Sequence, residues 1–226
     1  MLVQIKFMSG SSIEIDSNFP GGNIVVNKIR KNTLFIDPDL RDTEGHWFYW
    51  YFAVRNAGGR KLIVKFSGKK CLGKAGPAIS LDGGVTWNWL GRDLTKKDSF
   101  SYRIPEKCSE VRFCFGIPYL QTNWETFLKS YLTHPFLSTH VLCTTESGRE
   151  AEYIKIGNPT ASVPIKILFT ARHHACEMMA NYVLEGIIRC FLNELNNDSW
   201  VRDFGGGFAP GWERAGIAGA RSRGIG

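Results

Sequence analysis

The sequence predicts a two-domain protein, in which an all-β N-terminal sandwich is followed by an α/β domain. Three observations support this fold class. Short runs of β-branched and aromatic residues, separated by Gly, Asp, Asn and Pro, continue from about Ser12 to Tyr119. A helical pattern then appears beyond Pro118. The length of 226 residues also allows two modest domains.

The N-terminal domain, residues 1–118, is predicted to contain several short strands, and strands at this spacing are typical of a β-sandwich. Asp82-Gly83-Gly84 is predicted to form a turn, because Asp-Gly tolerates positive φ angles at little steric cost. The predicted strands are Asn23–Ile29, Trp47–Asn56, Lys61–Ser67, Ala78–Leu81, Thr86–Leu90, Phe100–Ile104 and Val111–Ile117.

The second domain, residues 119–203, begins with a predicted helix. Thr122 can act as its N-cap, and Glu125 lies three residues further on, which is the spacing of a capping box. A hairpin is predicted next, with strands Val141–Thr145 and Tyr153–Ile156. These elements mark a change from the all-β pattern of the first domain.

The strand Ile165–Phe169 leads into a long helix that is predicted to begin near Ala175. A strand that runs into a helix places its last residues at an open sheet edge, where ligands of α/β proteins usually bind. Apolar residues recur along the helix at spacings of three and four, which predicts one buried stripe. The predicted stripe is Met178, Met179, Tyr182, Val183, Ile187, Phe191, Leu192 and Leu195.

The composition changes again at residues 204–226, which are rich in Gly, Ala and Arg and have no apolar periodicity. Such a segment cannot bury enough surface to offset its chain entropy, so we expect a disordered tail. The net charge of +7 is not concentrated in one block, which favours a solvated surface. The longest apolar run, Trp47–Val54, is too short to cross a membrane, and no secretory signal is recognised. We therefore expect a soluble, cytoplasmic protein without a membrane partner.

The most informative segment is Thr170–Glu177, because it places His174 and Glu177 three residues apart at the predicted strand-to-helix turn. A catalytic zinc usually takes three protein ligands from His, Glu, Asp or Cys and keeps a fourth position for water. The spacing alone is weak support, since a glutamate at a helix start also complements the helix dipole. His173 competes with His174 for the ligand role.

The region around these residues resembles the zinc carboxypeptidases of the cytosolic carboxypeptidase branch. In that family a β-sandwich precedes the peptidase domain, and the similarity covers roughly residues 15–200. Many relatives have Pro-Gly between the two ligands, where this chain has Ala175-Cys176. The segments with the resemblance are His134–Phe136, Leu142–Glu150 and Lys166–Gly186, which includes Arg172-x-His174-x-x-Glu177.

The resemblance implies a zinc metallocarboxypeptidase, which hydrolyses C-terminal residues from peptides or proteins with Zn²⁺ as cofactor. His174 and Glu177 would be the first two metal ligands. The family's third ligand is a second histidine further along the chain, and its base and its carboxylate anchors also lie there. We assign no catalytic residue and give no role to Arg202 or Asp203. No histidine follows Glu177, since the five are His46, His134, His140, His173 and His174.

The second domain is therefore predicted to be an incomplete α/β zinc carboxypeptidase domain. Our hypothesis is that the chain follows the family to about Asp203 and ends in unrelated sequence, such as a frameshift would create. We expect this chain to be inactive as it stands. The strand Ile165–Phe169 and the helix after it would expose apolar surface and favour self-association. The expected substrate is a peptide or protein C-terminus, and nucleic acid is not expected as a partner.

An alternative interpretation is a non-catalytic β-sandwich module that binds peptide or carbohydrate. Aromatic residues at a spacing of two could stack on such a ligand, although this pattern is more often sandwich core. Exposure distinguishes the two, because a stacking platform must be accessible to solvent. The aromatic residues concerned are either Trp47, Tyr49 and Tyr51, or Trp87 and Trp89.

Overall fold

The structure is a computed structural model. It describes residues 2–5, 13–41, 48–67, 71–157, 165–174, 176–194 and 204–210. The chain forms two compact units, Met1–Pro118 and Tyr119–Gly226. Most regular structure in these ranges is β-sheet, and two helices are present. Neither helix has the length and apolar character needed to cross a membrane.

The first unit is built from strands that are mostly three to six residues long. They are β1 (Leu2–Ile5), β2 (Ile13–Asp16), β3 (Val25–Arg30), β4 (Thr33–Asp37), β5 (Tyr51–Arg55), β6 (Lys61–Phe66), β7 (Ala78–Ser80), β8 (Asn88–Trp89), β9 (Ser99–Arg103) and β10 (Glu110–Cys114).

These strands form two sheets that share one hydrophobic core. One sheet has the order β1-β2-β5-β10-β7-β8, and the other has the order β3-β4-β6-β9. Trp50, which precedes β5, stacks on Phe100 of β9 with ring centroids 5.9 Å apart. Phe100 also packs 5.2 Å from Phe113 of β10. The Trp50 ring nitrogen donates a hydrogen bond to the Cys71 carbonyl at 2.7 Å, so its polar group is satisfied inside the core.

Each of the seven predicted strands overlaps an observed strand, whereas β1, β2 and β4 were not predicted. In β2 apolar residues alternate with acidic ones, whereas β4 contains the apolar run Leu34–Ile36. Alternate residues of both strands are buried: Ile13, Ile15, Leu34 and Ile36 are at most 1% exposed. Both strands are short, at four and five residues, and each includes an acidic residue, so they are weaker signals than the longer runs. Period-two alternation could have identified β2, and the apolar run Leu34–Ile36 could have identified β4.

The predicted turn at Asp82–Gly84 is present, and Gly84 has a φ angle of 94°. The Asp82 carboxylate accepts hydrogen bonds from the Thr86 hydroxyl, from the backbone N–H groups of Val85 and Thr86, and from the Ser80 hydroxyl. The hydrogen bonds from Thr86, followed by the one from Ser80, lower the pKa of Asp82 well below its usual range. The loop is therefore fixed by an ionised aspartate.

The second unit contains both described helices and a four-stranded mixed sheet. The sheet has the order β11-β12-β14-β13; β12 is antiparallel to both its neighbours, and β13 is parallel to β14. The elements are α1 (Gln121–Lys129), β11 (Leu137–Thr144), β12 (Glu150–Ile156), β13 (Ile165–Ala171), α2 (Met179–Glu194) and β14 (Phe204–Pro210).

Helix α1 begins earlier than the predicted capping box indicated. Its N-cap is Leu120, and the Asn123 side-chain oxygen accepts a hydrogen bond from the Leu120 N–H at 2.7 Å. Asn123 thus satisfies a backbone donor at the helix start, which is the role predicted for a Thr122 and Glu125 pair. The predicted hairpin is confirmed by β11 and β12.

Helix α2 follows β13 as predicted, but its buried stripe is displaced. Met179 and Val183 are 45% and 64% exposed, whereas Leu184 and Ile188 are at most 4% exposed. The predicted stripe is therefore correct for Met178 and Leu192, which are each 1% exposed, and wrong for Met179 and Val183, because apolar side chains occur on more than one side of this helix. Spacing alone therefore allows two stripes, and contact with the sheet selects one. Leu195 lies outside the described residues.

The predicted disorder of residues 204–226 is wrong for its first part. β14 pairs with β13 along its whole length, from Ile165 with Phe204 to Ala171 with Pro210, and also pairs with β12. The composition argument considered only buried side chains, whereas this strand gains main-chain hydrogen bonds on both sides. Residues 211–226 lie outside the described residues.

Candidate metal site

The candidate metal ligands lie in the turn between β13 and α2. Among the described strands, β13 lies at the edge of its sheet, and it ends at Ala171. The next residue, Arg172, has a φ angle of 58°, which is the left-handed region that non-glycine residues rarely adopt. His174 and Glu177 follow this reversal, so both stand at the C-terminal end of a strand, where ligands of α/β folds commonly bind.

The structure brings His174 and Glu177 together. The Nδ1 atom of His174 lies 3.0 Å from one carboxylate oxygen of Glu177, and the other oxygen accepts a hydrogen bond from the His174 N–H at 3.1 Å. The Glu177 N–H also donates to the His174 carbonyl at 3.0 Å. The side-chain hydrogen bond with His174, followed by the backbone one, lowers the pKa of Glu177, so its carboxylate is ionised at neutral pH.

This geometry suits two ligands of a single metal ion. Two donors of a tetrahedral zinc lie about 3.3 Å apart, given ligand distances of about 2.0 Å, so the observed pair needs little adjustment. The His174 and Glu177 side chains are 68% and 45% exposed, which leaves them accessible to an ion from solvent. Among the described residues, however, no three His, Cys, Asp or Glu side chains are grouped closely enough to bind one ion.

His173, the predicted competitor of His174, and the other described histidines have different surroundings. The Nε2 atom of His173 lies 3.2 Å from the Thr170 hydroxyl, whereas the Glu177 carboxylate is paired with His174. His140 stacks on Tyr153 in the hairpin, with ring centroids 5.2 Å apart. His46 lies outside the described residues.

Hydrogen bonds that the sequence did not predict support the turn between β13 and α2. The Arg172 guanidinium donates to the Tyr119 carbonyl at 2.6 Å. Tyr119 is fully buried, and its hydroxyl donates to a Glu185 carboxylate oxygen of α2 at 2.8 Å. Burial, and then the Glu185 carboxylate, raise the pKa of Tyr119 far above its usual value. Through Tyr119, these contacts connect Arg172, which is two residues before His174, to Glu185 of α2. Tyr119 is far from both residues in sequence.

The alternative interpretation, a module that binds ligand on aromatic rings, is wrong for the two tyrosines that it included. Tyr49 and Tyr51 are 6% and 1% exposed, so they belong to the interior. The Trp87 ring nitrogen donates to the Gly84 carbonyl, and Trp89 is 44% exposed. Trp47 lies outside the described residues. The buried tyrosines cannot stack on a ligand from solvent.

No family model matches the chain, and no curated protein matches it by sequence. Solved structures do match. A metallo-carboxypeptidase from Burkholderia cenocepacia superposes with a TM-score of 0.73 at 20% identity, over 88% of this chain and 55% of its own. A metallo-carboxypeptidase from Pseudomonas aeruginosa, in complex with (2-guanidinoethylmercapto)succinic acid, gives a TM-score of 0.67 at 20% identity, over 86% of this chain and 54% of its own.

The chain therefore spans about half the length of the solved structures that it matches. The similarity extends over most of this chain, so it includes much more than the turn that bears His174 and Glu177. At this level of identity it is a similarity of fold. The fold of the described chain is that of the corresponding part of bacterial metallo-carboxypeptidases.

Proposed function

We propose that this chain is part of a zinc metallocarboxypeptidase of the cytosolic branch, which removes C-terminal residues from peptides or proteins. Residues 1–118 would be its β-sandwich domain, and residues 119–210 would be part of its peptidase domain. The observation that supports this best is the 3.0 Å His174–Glu177 pair at the end of a sheet strand, in a fold that is shared with metallo-carboxypeptidases.

In this proposal His174 and Glu177 would hold the metal through Nδ1 and a carboxylate oxygen. A bound zinc ion would supply Lewis acidity, which polarises a substrate carbonyl and lowers the pKa of a bound water. The hydrogen bond from the His174 N–H orients the Glu177 carboxylate. The contacts of Arg172 with Tyr119 and of Tyr119 with Glu185 hold the turn in place.

We assign neither a third ligand nor a general base to the described residues. A site with two protein ligands binds zinc more weakly than a complete site, because each ligand contributes to the affinity. Metal binding, rather than peptide hydrolysis, is therefore the property of this chain that tests the proposal. Activity of the whole enzyme would require groups in addition to His174 and Glu177.

The first prediction concerns zinc content. In equilibrium dialysis against increasing zinc concentrations, the full chain should bind about one zinc ion at saturation, and elemental mass spectrometry measures this ratio at each concentration. The His174→Ala and Glu177→Gln variants should each bind zinc at least about tenfold more weakly, because each loses one of two ligands.

The matched control is His173→Ala, which removes the neighbouring imidazole and should leave the zinc content unchanged. Circular dichroism should show that all three variants are folded. Zinc retention that does not depend on His174 and Glu177 would refute the assignment, as would a wild-type chain that binds no zinc.

A further inference from the structure

The outer face of the four-stranded sheet in the first unit is basic. Along its strands, alternate residues such as Leu34, Leu62 and Val64 are fully buried in the core, so the residues between them project from the opposite face. Five exposed cationic side chains project there, from three of the four strands. These residues, which we call the basic face, are Lys28, Arg30, Lys61, Lys65 and Arg103.

Strand register sets the spacing of these charges. Lys61 of β6 is directly opposite Arg103 of β9. Phe35 of β4 pairs with Lys28 on one side and with Lys65 on the other, which places these lysines two strands apart, about 10 Å. The Lys65 Nζ atom lies 5.9 Å from the centre of the half-buried Phe35 ring. The face is thus an array of cations around an apolar side chain.

The four strands themselves contain few carboxylates. Asp37 is the one acidic residue in the sequences of the four strands, and its carboxylate accepts hydrogen bonds from the Asn27 side chain and the Ser67 N–H. Within the described ranges, none of the five residues of the basic face forms an ion pair. Like charges held together without counter-charges repel one another, and a bound anionic partner relieves this repulsion.

The spacing of the charges and the lack of an exposed aromatic ring among the described residues of the basic face favour one class of anionic partner over another. Lys28 and Arg30 are two residues apart on the edge strand β3, so they are about 7 Å apart. Alternate side chains of an extended peptide have the same repeat. Binding of single-stranded nucleic acid instead relies on exposed aromatic rings for base stacking. The aromatic ring of this face, Phe35, is half-buried and has Lys65 over it.

We infer that the basic face binds an extended acidic polypeptide segment, in which glutamate or aspartate side chains contact Lys28, Arg30, Lys61, Lys65 and Arg103. This surface belongs to the first unit and does not use the candidate metal ligands. The inference therefore goes beyond the proposed function and does not depend on zinc binding.

The test is binding of a fluorescein-labelled peptide of glutamates to the full chain, followed by fluorescence anisotropy at low salt. The wild-type chain should bind this peptide and should not bind a glutamine peptide of equal length. The triple variant Lys61→Gln, Lys65→Gln, Arg103→Gln should bind at least about tenfold more weakly, since three exposed ion pairs are lost. Added salt should weaken wild-type binding, because exposed charges are screened.

A matched triple variant controls for net charge: Lys74→Gln, Lys129→Gln, Lys155→Gln removes three exposed cations outside the basic face. It should bind the glutamate peptide within about threefold of wild type. Equal weakening in both triple variants, or no binding by wild type, would overturn the inference. Tighter binding of an oligothymidylate that is lost in the first triple variant would overturn it in favour of nucleic acid.

Discussion

Asp82 shows how one ionised side chain can organise a loop. Its two oxygens accept hydrogen bonds from the hydroxyls of Ser80 and Thr86 and from two successive backbone N–H groups. The aspartate could be predicted to lie in a turn, because Asp-Gly is a turn dipeptide. The hydrogen bonds could not be predicted, since they depend on the backbone path after Gly84.

The lowered pKa of Asp82 predicts a pH-dependent contribution to stability. The carboxylate has a lower pKa in the folded chain than in the unfolded chain, where it is about 4. The contribution is therefore present above about pH 4 and is lost as the pH falls through the folded-state pKa. The Asp82→Ala variant should unfold at lower urea concentration than wild type at pH 7, and this difference should become smaller below about pH 4.

Urea unfolding followed by tryptophan fluorescence across this pH range measures the effect. Asp93→Ala is the control, because Asp93 is an exposed aspartate in another loop of the same unit. A difference between wild type and Asp82→Ala that stays constant from pH 7 to about pH 3 would show that the carboxylate charge is not responsible.

At the scale of the elements, β14 is the strand that makes the sheet of the second unit continuous. It lies between β12 and β13, and β13 has no other neighbour in the described sheet. A proline in such a strand removes a ladder hydrogen bond and leaves an acceptor unpaired. Gly206, which pairs with both Ile156 and Ile167, is the position where this loss should separate the strands.

We predict that Gly206→Pro destabilises the second unit by about 2 kcal/mol or more. Hydrogen exchange measured by mass spectrometry should show reduced protection in the peptide that contains β13. The Gly206→Ala variant keeps the backbone N–H and should retain most of the protection. If β13 remains equally protected in the proline variant, its pairing with β14 does not stabilise the sheet.

Apolar patterns in the sequence predicted individual strands and helices, but they did not predict which other segments pair with or contact them. The strand Ile165–Phe169 was predicted from a short apolar run, and the helix after it was predicted from an apolar repeat. β14 was missed because its glycines have no such repeat, and its stability depends on two strands from elsewhere in the sequence. His174 and Glu177 could be found because they are three residues apart. The contact between Arg172 and Tyr119 joins distant segments, so no local pattern indicates it.

At the scale of the whole molecule, the basic face is another feature that local sequence patterns did not predict. Its cations come from β3, β6 and β9, which are separated along the chain, so the sequence contains no dense block of lysine and arginine. A net charge of +7 alone favoured a solvated surface. Sheet formation brings these charges to one side, and this depends on register that the sequence does not specify locally.

Exposed apolar surface in the second unit leads to a prediction about self-association. Leu168 of β13 is 71% exposed and Val183 of α2 is 64% exposed. Burying such surface between copies is favourable. Sedimentation velocity should therefore show larger species as the chain concentration rises. The Leu168→Lys, Val183→Lys double variant should remain monomeric at concentrations where wild type associates.

The control for this experiment is Val85→Lys, which changes an 81% exposed valine in the first unit. This variant should associate as wild type does. A wild-type chain that sediments as a compact monomer at all concentrations would contradict the prediction. Association that Val85→Lys abolishes would place the contact surface in the first unit instead.

The sheet order of the second unit also determines when its candidate metal site can form during protein synthesis. β13 emerges from the ribosome before β14, and at translation rates of about 5 to 20 residues per second the delay is on the order of seconds. During this time the hairpin and β13 lack the strand that joins them. The turn with His174 and Glu177 thus has no completed sheet to hold it, and a nascent chain at this stage exposes strand edges that chaperones can recognise.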